Sequence, residues 1–154
     1  ITAADALLIF QFVKGLRTSF DFRPPQVLAA IPADGAAGVL LTANASVFFS
    51  EPVSSATLQG NLRVIDTATG LPLVGRIGAS QDGVLQTFFP DAPLEPLRTY
   101  RVEVSTGVKD LEGNALTDSL TSAFQTQALG TGVLVSTNNP VAAINELLPQ
   151  PIVF

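Results

Sequence analysis

Short alternating runs of apolar and polar residues fill most of this chain, after an N-terminal stretch in which apolar residues crowd together. In residues 1–15, Leu7, Leu8, Ile9, Phe10, Phe12 and Val13 occupy nearly every side of a helical wheel. Such spacing predicts a helix that needs burial on more than one face. Thr2 is placed to cap it, Asp5 follows three residues later in a capping-box-like pair, and Gly15 stands where a left-handed C-cap would end it. Residues 17–24 read as a linker, because Pro24 and Pro25 forbid continuation of a helix.

From Pro25 the period changes to two. Extended runs are expected at 26–31, 39–41, 45–49, 62–66, 73–79, 84–89, 99–104 and 119–125, separated by turn-forming groups such as Pro32-Ala33-Asp34-Gly35 and Ser80-Gln81-Asp82-Gly83. The clearest of them is 99–104. There Tyr100, Val102 and Val104 share one face, while Thr99, Arg101 and Glu103 share the other. In 84–89 the alternation sets Val84, Gln86 and Phe88 against Leu85, Thr87 and Phe89. Residues 90–96 contain three prolines, so they are expected to cross between sheets or run along an edge. Roughly seven short strands in about a hundred residues predict an all-β antiparallel sandwich over residues 25–127. Beyond it, 128–154 reads as an apolar extension or the start of a further domain. Its residues 132–136 (Gly-Val-Leu-Val-Ser) are strand-like, and its last residues are Ile152, Val153 and Phe154.

Composition narrows the function classes. Of the 154 residues, 47% are hydrophobic and only 14% charged, with mean hydropathy +0.40. A typical domain is about one quarter charged, so this surface is one that expects to be covered. No apolar run reaches the roughly 20 residues of a membrane-spanning helix. Net charge is −5, and the eight Lys and Arg residues are scattered, which disfavours nucleic acid as a partner. The chain has no Cys and no His. Disulfides and thiolate metal sites are excluded, and the commonest general base and transition-metal ligand is missing. A zinc enzyme or a Ser-His-Asp hydrolase confined to this chain is not expected. Met is absent even at position 1, so the chain is expected to be a processed or excised segment with any signal peptide upstream.

Five blocks carry a family resemblance. They are Pro25-Gln26-Val27 with Pro32-Ala33-Asp34-Gly35, then Phe48-Phe49-Ser50-Glu51-Pro52-Val53, Tyr100-Arg101-Val102-Glu103-Val104, Asp110-Leu111-Glu112-Gly113-Asn114-Ala115-Leu116, and Phe124-Gln125-Thr126. In this order they resemble the bacterial Ig-like domain of S-layer proteins and surface adhesins. The resemblance implies an Ig-like sandwich serving as a non-catalytic extracellular or cell-surface module, strung in tandem or assembled with copies of itself. Residues 1–16 separately resemble the second half of a type I dockerin repeat, with Ile1 and Asp5 at the end of its calcium loop. That likeness implies calcium at Asp5 and a cohesin-like protein as partner. The loop's first seven positions are missing, however, and calcium takes about six to eight oxygens. A carboxylate favoured by the helix dipole accounts for Asp5 equally well.

A second oxygen-rich stretch is Asp110, Glu112 and Asn114. Asp110 is the other calcium candidate, and a turn closed by its own side chains is the competing reading. No spaced carboxylate pair suggests acid–base catalysis. The chain is therefore expected to be a structural module that spaces or assembles a surface layer or filament, with its apolar ends exchanged between subunits. The rivals are a protein- or glycan-binding module and an accessory domain of a larger secreted hydrolase.

Overall fold

The structure, a computed structural model, describes Thr2 and residues 23–130. The helix expected over 1–15, its Asp5, most of the linker and the chain beyond Gly130 lie outside the described residues. Two antiparallel-rich sheets face each other. One has four strands, β1 (Val27–Ile31), β3 (Ala45–Phe49), β7 (Leu85–Pro90) and β6 (Gly75–Ala79), in the order β1-β3-β7-β6. The other has five, β2 (Ala36–Val39), β9 (Leu120–Thr126), β8 (Thr99–Val104), β4 (Leu62–Asp66) and β5 (Leu71–Pro72), in the order β2-β9-β8-β4-β5. Every pair is antiparallel except β2 with β9, which is parallel.

The alternation seen in the sequence is the reason the core forms where it does. Ala45, Val47 and Phe49 of β3, Leu62 and Val64 of β4, Phe88 of β7, Tyr100, Val102 and Val104 of β8 and Phe124 of β9 all point between the sheets, each no more than 5% exposed. Burying one such side chain contributes about 1.5–3 kcal/mol. Phe49 takes the inward place of the Phe48-Phe49 pair, and Phe48 lies on the outer face. Tyr100 and Phe124 stack at 5.7 Å across the central pair of the five-stranded sheet. As the three prolines predict, the stretch from Asp91 to Arg98 carries the chain from one sheet to the other.

Among the described residues nine strands stand where the spacing predicts about seven. The physical cause is that the chain twice passes from one sheet to the other within a short stretch. After β1 the chain turns through a cis Ile31–Pro32 bond and Gly35, then pairs as β2 in the opposite sheet. The run expected at 73–79 forms β6 from Gly75 onward, and just before it the unexpected β5 at Leu71–Pro72 pairs in the other sheet. Gly75 sits at that second crossing. A Cβ there would lie 2.4 Å from the Phe89 carbonyl oxygen, an approach open only to glycine. Among the described residues the helical content is one short 3-10 turn, Ser55–Thr57.

Candidate functional site

Asp110 enters the structure as the keystone of a loop. It is 2% exposed. Its Oδ1 accepts the backbone N–H groups of Glu112 (2.9 Å) and Asn114 (2.8 Å), and its Oδ2 accepts the Asn114 side-chain amide at 2.7 Å. The Asp110 amide in turn donates to the Asn114 carbonyl at 3.0 Å. Gly113, between them, holds φ at +95°, a left-handed value that side chains other than glycine rarely adopt. The sequence feature that suggested a ligand loop is thus a turn that closes on itself.

The fold adds a residue that sequence spacing could not. A bridge between Val53 and Asp110 brings the Ser50-Glu51-Pro52 segment against this loop. One carboxylate oxygen each from Glu51, Asp110 and Glu112 then lie within 4.8 Å of one another. Three carboxylates can offer a divalent cation three ligands, about half of what calcium takes. The oxygens of Asp110 already serve N–H donors. Glu51 lies 59 positions from Asp110 in the chain, and the only signal for it was its place within the Ser-Glu-Pro-Val block.

A second concave feature lies at one side of the sandwich. Between β6 and the β4–β5 edge runs an open groove of about 540 Å³, lined by Leu58, Leu62, Leu73, Ile77, Phe88 and Gln86, with Arg63 and Arg76 among its other walls. Gln86 is fully buried in register between Val47 and Ala79. Its Nε2 donates to the Gly83 carbonyl at 2.8 Å, whereas its Oε1 has no hydrogen-bond partner. An orphaned buried acceptor costs about 1–3 kcal/mol. Leu71 and Val74, next to the groove, are 65% and 77% exposed.

The outer faces are less inviting. On the four-stranded sheet the Phe89 ring lies across Gly78, and the Arg76 guanidinium stands 4.3 Å above its centroid. That ring is not an open platform for a sugar. On the five-stranded sheet Glu103 bridges Arg63 (3.1 Å) and Arg101 (2.7 Å) in a solvent-facing cluster of small energetic weight. Among titratable groups, Asp82 is shifted. The Ser80 hydroxyl, then the Val84 amide, hydrogen-bond its carboxylate and hold its pKa below the usual carboxylate value.

Residues 21–126 match the family model described as a bacterial Ig-like domain. Comparison with curated proteins finds no relative of significant similarity. Among solved structures, domains 1–6 of the surface layer protein SbsC are 23% identical with a TM-score of 0.51, over 69% of this chain and 14% of that one. PcoC, a methionine-rich copper resistance protein from Escherichia coli, is 16% identical with a TM-score of 0.54, over 68% of this chain and 100% of that one. CopC from Methylosinus trichosporium OB3b is 17% identical with a TM-score of 0.52, over 68% and 94%. At these identities the likenesses show a shared fold.

Proposed function

Because the chain belongs to the bacterial Ig-like domain family, we propose that it is a non-catalytic extracellular module that spaces or assembles a cell-surface layer or filament, its terminal segments exchanging between copies. The observation that carries this reading is the family match across the whole described sandwich, residues 21–126. The surface composition supports it, since 14% charged residues is low for a domain that stands alone in water. The fold shared with the SbsC domains is compatible with a place in a tandem array. The fold shared with the copper proteins does not bring their ligands with it. This chain has no Met, His or Cys, the side chains that suit copper.

The test is the oligomeric state of the full chain. Light scattering over a concentration series, followed by negative-stain microscopy, is expected to show self-association that grows with concentration. A monomer at every concentration would remove the assembly reading. Accessibility of the protein on intact source cells to a membrane-impermeant protease checks the surface location separately.

A further inference from the structure

Among the described residues the open sandwich has four edge strands, and three of them are guarded. β1 carries a register shift between Val27 and Ala29 and is followed directly by Pro32. β2 carries a register shift between Ala36 and Val39. β5 is two residues long and one of them is Pro72. Bulges, prolines and shortness are the devices by which edges avoid pairing with other chains. β6 has none of them. It is five residues in unbroken register with β7, and its single charge, Arg76, is engaged with Phe89 on the outer face.

The orientation of its backbone follows from the neighbouring bonds. Asp91 N–H donates to the Val74 carbonyl and Ser80 N–H to the Leu85 carbonyl. By alternation, the even-numbered residues of β6 face β7, and Gly75, Ile77 and Ala79 present their N–H and C=O groups to the open side. That is the side of the groove, which the partly buried Leu73 and Ile77 line beside the buried Leu62 and Phe88.

We propose that this edge and groove receive an extended segment from a second copy of the chain, residues 132–136 (Gly-Val-Leu-Val-Ser), added as a further strand antiparallel to β6. The inference rests on the assembly reading above. Residues 131–154 carry a single charged side chain, Glu146, so the segment offers little that resists burial. Val133, Leu134 and Val135 suit a half-buried strand, and either facing places an apolar side chain over the groove. Main-chain bonds along Gly75, Ile77 and Ala79 then provide affinity, as in other strand-addition complexes.

The donor is a second copy because of reach and direction. Every pair in the four-stranded sheet is antiparallel. An added strand that keeps the pattern enters beside Ala79 and runs toward Gly75. The chain leaves the sandwich at Gln127, fixed to Val39 and Leu97 at the end of the sheet that holds Thr99 and Asp66. Pairing of Leu71 with Asp66 places the start of β6 toward that end and Ala79 toward the other. The five Cα-to-Cα steps from Gln127 to Gly132 span at most about 18 Å. The rise along β6 is about 13 Å, passing β8 and β4 adds two strand spacings of about 4.8 Å each, and moving from one sheet to the other adds about 10 Å more, on a path that must go around the sandwich. A contact of this kind is heterologous, and repeated from copy to copy it extends a row.

The chain has no cysteine, so introduced thiols report alone. Full-length chains carrying Arg76→Cys together with Leu134→Cys, or with Val133→Cys for the other facing, are oxidised mildly and run on a non-reducing gel. The expected result is a ladder of covalent oligomers that collapses on reduction. The control pairs the same tail cysteines with Ala37→Cys on the guarded β2 edge and is expected to give none. A fast-migrating, internally cross-linked monomer would overturn the second copy as donor. If the unmodified chain scatters as an oligomer while neither β6 pair cross-links, the groove is the wrong acceptor and the assembly reading stands. If the chain is monomeric and nothing cross-links, both fall.

Discussion

The hydroxyl of Tyr100 accepts a hydrogen bond of 2.8 Å from the backbone amide of Glu95, five residues earlier in the chain. This contact ties the connection between the sheets to the most central strand. Tyr100 itself is 2% exposed and stacked on Phe124. The turn that follows is held from the other side by Thr126 Oγ1, which donates to the Glu95 carbonyl at 2.6 Å. Replacing Tyr100 by Phe keeps the ring and deletes only the acceptor. The variant is expected to lose about 1–3 kcal/mol, the cost of leaving a partly buried donor unmade. The loss would appear in urea denaturation as a lower midpoint with unchanged slope.

Asp110→Ala removes three hydrogen bonds to one carboxylate and leaves two backbone amides of the loop without acceptors. Bonds to a charged group are worth about 1.5–3 kcal/mol each, so this variant is expected to be the most destabilised of the loop substitutions. Glu112→Ala, which keeps the Asp110 carboxylate in place, is expected to cost much less. Thermal melts of the two variants side by side test the ordering.

Calcium is expected to leave the melting temperature of the full chain unchanged, with or without chelator. Three carboxylates supply about half of a calcium shell, and Asp110 is already occupied by N–H donors. A saturable rise on adding calcium, abolished by Glu51→Gln, would instead identify Glu51, Asp110 and Glu112 as an ion site.

Gly75→Ala is expected to destabilise by about 1–3 kcal/mol or more, because its methyl meets the Phe89 carbonyl oxygen and overpacking of that kind is not relieved by rotating a side chain. Gly130→Ala, with nothing within 4 Å, is the matched control and is expected to be silent. Chemical denaturation of the pair gives the difference directly.

The lowered pKa of Asp82 has a definite sign in pH. Its charged form is favoured in the folded state by the Ser80 hydroxyl and the Val84 amide. The contribution is therefore present above the unfolded carboxylate pKa and fades as pH falls through the lower folded value. Asp82 is fully exposed, so the effect is small. Asp82→Asn is expected to melt slightly below the parent at neutral pH, with the gap closing in acid.

How far the fold could be read in advance depended on where a strand sits. β4 and β8 have the bounds the alternation predicts, because Val64, Val102 and Val104 face a packed core while Arg63, Arg101 and Glu103 lie on the opposite face. At the edges the pattern fades. Ala36-Ala37-Gly38-Val39 has almost no contrast between its faces, and the strand it forms begins earlier than expected. The two-residue β5 ahead of the run expected at 73–79 exists because that stretch joins the sheet opposite to that of β6, which local period does not encode. The same holds for function. The Asp110 turn is local and was visible as turn chemistry, whereas Glu51 reaches it through a bridge that only the assembled sandwich makes. Gln86 was legible in part, since the alternation put a polar amide on the same side as Phe88, and that side proved to be the core. Its unmade bond required the surrounding structure.

The parallel pairing of β2 with β9 bears on how the domain carries a mechanical load. One strand lies near the chain's entry to the sandwich and the other at its exit. Once β1 has been drawn off β3, a pull on the two ends drives β2 and β9 past each other along their length, so the ladder bonds between them are strained together instead of opening one after another. Linked end to end in a surface layer, such domains would hold under tension until that pair gives way as a unit.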